Sequence, residues 1–147
     1  MESKIQFFRA YEAYGFLSNF ARYAFEVDGK TWPTSEHYFQ AMKFAGTTYE
    51  EAIRLASTPA EAARMGRDRS VPLRADWETV KVEIMRVALE AKFSQHTELR
   101  SQLSATGDAE LIEHTANDSF WGDGGDGSGQ NMLGLLLMEV RAELAGS

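Results

Sequence analysis

The chain has 147 residues, 44% of them hydrophobic and 25% charged, which suits one soluble domain over residues 1–147 and argues against a disordered chain. It has no cysteine, which excludes disulfides, a thiol nucleophile and cysteine-built metal or iron–sulfur sites. Asp and Glu number 22 against 15 Lys and Arg, and the net charge of -7 argues against non-specific binding to nucleic acid, though not against a local basic pocket for a small phosphorylated ligand. No apolar run suits a membrane span and the start carries no secretory signal, so the expectation is a cytoplasmic protein with no membrane partner.

A short strand is expected at Ile5 to Phe8. Tyr11 to Phe20 is too aromatic for an exposed loop, and Gly15 permits a turn inside it. Ser18 and Asn19 form a small polar pair between Leu17 and Phe20. An Asn bonding its own backbone in a turn is the plain alternative, but it needs no aromatics on both sides. Phe25 to Val27 and Lys30 to Trp32 flank Asp28-Gly29, which predicts a hairpin with a type I′ turn, because that turn requires positive φ at both central residues.

A helix is predicted over Thr34 to Ala45, after Pro33, with a hydroxyl of Thr34 or Ser35 as its cap. At about 100° per residue, Glu36, Gln40 and Lys43 fall within roughly 60° of one another. Tyr38, Ala41, Met42 and Ala45 fall opposite, and Phe39 and Phe44 flank the polar line. Periodicity alone fits a solvated face more readily than a cavity-facing one, since Glu, Gln and Lys fill exposed helices everywhere. An almost wholly apolar circumference with one thin polar line suits a buried helix facing a cavity.

Thr48 to Glu51 and Thr58 to Glu61 have the spacing of capping boxes, predicting short helices at Tyr49 to Ala56 and Pro59 to Arg67. Arg64, Arg67, Arg69 and Arg74 make the one basic stretch; their forks suit phosphate, or ion pairs with the many nearby carboxylates. Asp76 is placed to cap a core helix from Trp77 to Phe93, with Trp77 packing or stacking on a ligand base. A helix at Thr97 to Leu103 and a strand at Glu110 to His114 follow.

Asn117 to Gln130 holds five glycines between Gly122 and Gly129, ahead of a last helix capped by Asn131 and running through Leu144. Such a loop is either an anion cradle or a flexible connector. Phe120-Trp121 argues for an anchored loop, and the aspartates lack the spacing and closing Glu of a calcium-binding loop. His37, His96 and His114 show no metal-ligand spacing, so neither metal nor cofactor is expected.

Phe16-Leu-Ser-Asn-Phe20, Val27 through Gln40 with Lys43-Phe44, and Ala63-Arg-Met-Gly-Arg-Asp-Arg69 resemble the NADAR family. So do Trp77-Glu-Thr-Val-Lys81, Phe120-Trp-Gly-Asp-Gly-Gly125 and Asn131-Met-Leu-Gly134. Ser35 through Gln40 and Trp121 through Gly125 are the most specific runs, and the pieces lie in family order across nearly the whole chain. The resemblance is closest to the branch of riboflavin-biosynthesis-intermediates N-glycosidases. It implies a mostly helical domain with a few short strands and an enzyme cleaving the bond between ribose C1 and a nitrogenous group. The substrates it implies are phosphorylated aminopyrimidine ribosides or ADP-ribosylated guanine in nucleic acid.

That reaction needs a group to assist the departing base and one to stabilise or attack a cationic C1. With the resemblance, Glu36 becomes the candidate acid, base or electrostatic stabiliser. Lys43 becomes the candidate nucleophile through a Schiff base, or a phosphate contact beside direct water attack. Ser18, Asn19, Phe20 and Gln40 are expected to bind substrate, Asn19 through ribose hydroxyls. Trp77 and Trp121 are expected to wall the base, and Arg64, Arg67, Gly122 and Gly124 to hold phosphate. Asp123 is expected to bind ribose or serve as a second acid. The non-enzymatic alternatives are an ADP-ribose or nucleotide-binding module and a helical adaptor.

Overall fold

The structure is a computed structural model that describes residues 3–146. Its elements are, in order, β1 (Lys4–Phe7), a 3₁₀ turn (Gly15–Leu17), β2 (Phe25–Val27), β3 (Lys30–Trp32) and α1 (Ser35–Met42). There follow α2 (Thr48–Arg54), α3 (Pro59–Gly66), α4 (Trp77–Gln95), α5 (Thr97–Ala105), β4 (Glu110–Glu113) and α6 (Met132–Ala145). The fold is mostly helical with two small two-stranded sheets. β2 and β3 form the antiparallel hairpin, with φ of 54° at Asp28 and 79° at Gly29, as a type I′ turn requires. β1 and β4 pair in parallel, Ile5 with Leu111 and Phe7 with Glu113, across most of the chain.

Two adjoining hydrophobic clusters make the core. One gathers Phe39, Met85, Leu89, Phe93 and the α6 residues Leu133, Leu136, Leu137 and Val140 on the inner residues of β1 and β4. The other gathers Phe25, Trp32, Tyr38, Ala41, Phe44 and Ala88 under the hairpin. α1 and α4 contribute to both, so each is apolar on more than one side. Gly134 lets α6 lie directly on β4, because a Cβ there would sit 2.0 Å from the Leu111 carbonyl oxygen. No helix among the described residues is long and apolar enough to cross a membrane.

Several expected caps differ. Thr34 and Thr58 do cap α1 and α3, accepting from the amides of His37 and Glu61. α1 stops at Met42 rather than Ala45, because Phe44 N turns back to the Ala41 carbonyl at 2.9 Å and Gly46 takes φ of 83°. In place of the Thr48 capping box, Thr47 starts α2 without a side-chain bond, and the Glu51 carboxylate pairs with Arg54. Asp76 pairs with Arg74 Nε at 2.6 Å instead of capping α4. Asn131 adopts left-handed backbone and spends its amide on β4, accepting from Glu113 N and donating to the Leu111 carbonyl, both at 2.9 Å.

Candidate active site

The polar line of α1 faces a cleft. Glu36, Gln40 and Lys43 all line a cavity of about 530 Å³, opposite Trp77, Lys81 and Trp121. Arg67 at the end of α3 and Asn19 also border it. Helical spacing creates the line, and burial of Tyr38 and Ala41 in the hairpin cluster turns it toward the cleft.

Within this line Gln40 Nε2 donates to Glu36 Oε2 at 2.7 Å. Burial raises the Glu36 pKa above the ordinary carboxylate range, against the lowering effects of the Gln40 bond, Lys43 and Arg67. Lys43 Nζ donates to the Gly66 carbonyl at 3.3 Å and stands 5.7 Å from the Phe39 ring centre and 5.9 Å from that of Trp77. Burial, with Arg69 next in weight, lowers its pKa to about 8, and Glu36 partly offsets this. Gly66 has no room for a side chain, since a Cβ would lie 1.9 Å from Gln40 Oε1. The packing of α3 on α1 thus fixes the amide that holds Glu36.

The aromatic wall is continuous. Phe39 packs edge-on against Trp77 at 5.0 Å and Trp121 at 5.3 Å between ring centres. Trp77 is buried, so it is both core and cleft wall. Asn19 is held by Ser35 Oγ, which donates to its Oδ1 at 2.8 Å, and by Glu36 N, which donates to its carbonyl at 3.1 Å. Ser18 and Phe20 line a second chamber of about 410 Å³ with Phe8 and Tyr11. Phe8, Asn19, Phe20, Glu36 and Glu113 border both chambers.

Four of the sequence-predicted residues are brought to neither chamber. Arg64 is exposed on α3, and its guanidinium pairs with Glu61. Gly122, Asp123 and Gly124 support the wall from behind. Asp123 Oδ2 meets His114 Nδ1 at 2.7 Å, and its Oδ1 accepts from the amides of Thr115 and Gly125 at 3.0 and 2.9 Å. Burial raises the Asp123 pKa, but these bonds outweigh it and hold the carboxyl below its ordinary range. A loop that satisfies its own aspartate is a brace, whose visible product is the placement of Trp121. Asp118 Oδ1 completes it by accepting from the amides of Phe120 and Trp121 at 2.9 and 2.8 Å.

The cleft also contains Lys81, Glu113 and Asp118, which the sequence reading did not select. Glu113 left a signal: it shares a strand face with buried Leu111, so an acid stands where alternation calls for an apolar residue.

Comparison with known proteins defines the class. The chain is 61% identical to N-glycosidase YbiA of Escherichia coli strain K12 over 141 residues, covering 96% of this chain and 88% of that protein. It is 43% identical to N-glycosidase Npun_R5314 of Nostoc punctiforme over 143 residues, 95% of this chain and 92% of the relative. It is 39% identical over 158 residues to the chloroplastic riboflavin biosynthesis protein PYRR of Zea mays, 97% of this chain and 25% of that one. The NMR structure of E. coli YbiA superimposes with a TM-score of 0.90 at 60% identity, covering 99% of this chain and 87% of that chain. The protein is an enzyme of the N-glycosyl hydrolase class. A NADAR domain matches residues 6–145, and the chain belongs to the NADAR family.

Proposed function

We propose that this cleft hydrolyses the bond between ribose C1 and the amine nitrogen of a phosphorylated ribosylaminopyrimidine of the riboflavin-pathway type. Residues 1–147 would act as one catalytic domain in the cytoplasm. The observation that carries the reading is the Glu36–Gln40–Lys43 line, which holds a desolvated carboxyl and a depressed amine against one aromatic wall. With a pKa of about 8, roughly a tenth of Lys43 is uncharged at pH 7. Relatives named for riboflavin biosynthesis support the choice of substrate.

In this reading protonated Glu36 gives its proton to the leaving nitrogen while Lys43 Nζ bonds to C1 and the C1–N bond breaks. Glu36 then carries a proton from Nζ to the ring oxygen, which opens the sugar to an iminium on Nζ. Water adds at C1, the C1–Nζ bond breaks, and the sugar leaves as its aldehyde. Asn19 orients ribose hydroxyls through its amide nitrogen, Trp77 and Trp121 wall the base, and Arg67 with Lys81 holds phosphate.

ADP-ribosylated guanine is the second substrate reading. The chamber beside Glu36, lined by Phe8, Tyr11 and Phe20, supports it by extending the space available to a larger ligand. The test is release of base and sugar from each substrate by the wild type and by Glu36→Ala. Release from the ribosylaminopyrimidine phosphate, lost in the variant, is expected. Release from the guanine adduct alone would select the second reading, and release from neither by folded protein would overturn both.

A further inference from the structure

We infer that Glu113 is a third catalytic group, the base that activates the water freeing the sugar from Lys43; this rests on the lysine-adduct reading above. Glu113 is half-buried on the inner face of β4, beside Phe7, and borders both chambers. Its backbone is fixed from both sides. Asn131 Oδ1 accepts from its N–H, and its carbonyl accepts from Asp123 N, both at 2.9 Å.

The carboxylates at this end of the molecule differ in what already occupies them. Glu36 holds Gln40, Asp118 caps the Phe120–Trp121 turn, and Asp123 is bonded by His114 and two amides. Glu36 and Asp118 each have one oxygen engaged, whereas neither oxygen of the Glu113 carboxylate accepts a hydrogen bond among the described residues, so both are open to water. The charges acting on it are those of Asp118, Glu36 and Asp123; Lys43, Arg67 and Lys81 share the larger chamber with it, and Arg9 and Tyr11 share the smaller. Burial, then Asp118, Glu36 and Asp123, raises its pKa to about 7. A carboxyl so placed holds both forms near neutral pH, as a proton-transfer group should.

The Glu113 carboxylate takes a proton from water as the water oxygen bonds to C1 of the iminium, leaving a neutral carbinolamine. That proton passes to Nζ. The C1 hydroxyl then returns a proton to Glu113 as the C1=O bond forms and the C1–Nζ bond breaks. Lys43 is regained as the free amine, and the proton left on Glu113 goes to solvent.

The test follows base and sugar separately in one turnover of the ribosylaminopyrimidine phosphate, with borohydride quenching, for the wild type and Glu113→Gln. The variant is expected to release a single equivalent of base near the wild-type rate and to accumulate adduct. Its sugar release should slow roughly a hundredfold. Hydroxylamine, which attacks an imine without a base, should restore release of the sugar as its oxime. Sugar release within about threefold of wild type, or loss of the base burst, would overturn the role of Glu113. Should the variant not fold, the wild type decides. Its sugar release from the adduct should climb about tenfold per pH unit below about 7 and level above it, and a flat profile would overturn the role. Turnover by wild type with no trapped adduct would instead remove the lysine reading, and the Glu113 step with it.

Discussion

Lys43 and Lys92 are both buried, at 7% and 0% exposure, and both have lowered pKa values, to about 8 and about 7. Burial is the leading cause in each case. Their surroundings differ. Lys43 ends the polar line of α1 and borders the cleft beside Glu36 and Arg67. Lys92 is sealed under the 3₁₀ turn, where Nζ donates to the Ser18 carbonyl at 3.1 Å and lies 5.0 Å from the Phe93 ring centre. A depressed amine is therefore no mark of a catalyst by itself. Access to a chamber and the nearby charge of Glu36 separate the two, and Lys92 serves by fixing the segment that carries Asn19.

Substitution offers the sharpest break in this comparison. Lys43→Met should lower kcat roughly a thousandfold or more while the protein stays folded. Lys92→Met should keep turnover within about tenfold, its loss arising from a looser Ser18–Asn19 segment. Equal losses from both, measured by steady-state kinetics beside a melting curve, would erase the distinction.

Stability against pH sharpens it further. Lys92 binds its proton more weakly in the folded state, about 7, than the ordinary lysine value of about 10.4 expected unfolded. Between those values the unfolded chain holds more protons, so this lysine makes stability rise with pH from about 7 toward 10. Urea titrations across that range should show Lys92→Met lacking this part of the wild-type rise. A parallel pair of curves would contradict a sealed, desolvated amine.

The smallest expected effect concerns the arginines. Arg67→Ala should raise KM roughly tenfold, whereas Arg64→Ala should leave it within about twofold, because Arg64 is already paired with Glu61 on the surface. The reverse order in substrate titrations would move the phosphate contact outward.

Much of this layout is legible in the sequence where period and turn chemistry are local. The Glu36–Gln40–Lys43 line and the Asp28-Gly29 turn follow from local spacing, although spacing alone favours a solvated face for that line. Other features depend on distant partners that no local pattern names. Asp76 is claimed by Arg74, Asn131 by β4, and Asp123 by His114 and two amides, so two expected caps and one expected substrate contact are engaged in bonds within the fold. Arg64 and Arg67 look equivalent three residues apart, and only the packing of α3 on α1 separates them. Glu113 reaches the cleft through the parallel pairing of β1 with β4, the pairing of longest sequence separation in the fold.

The most direct measurement is reductive trapping. Wild-type protein turning over the ribosylaminopyrimidine phosphate would be treated with borohydride, digested and mapped by mass spectrometry. A sugar phosphate adduct is expected on the peptide carrying Lys43 and none on the peptide carrying Lys92. An active enzyme that yields no adduct, or one labelled at another lysine, would contradict the Lys43 reading.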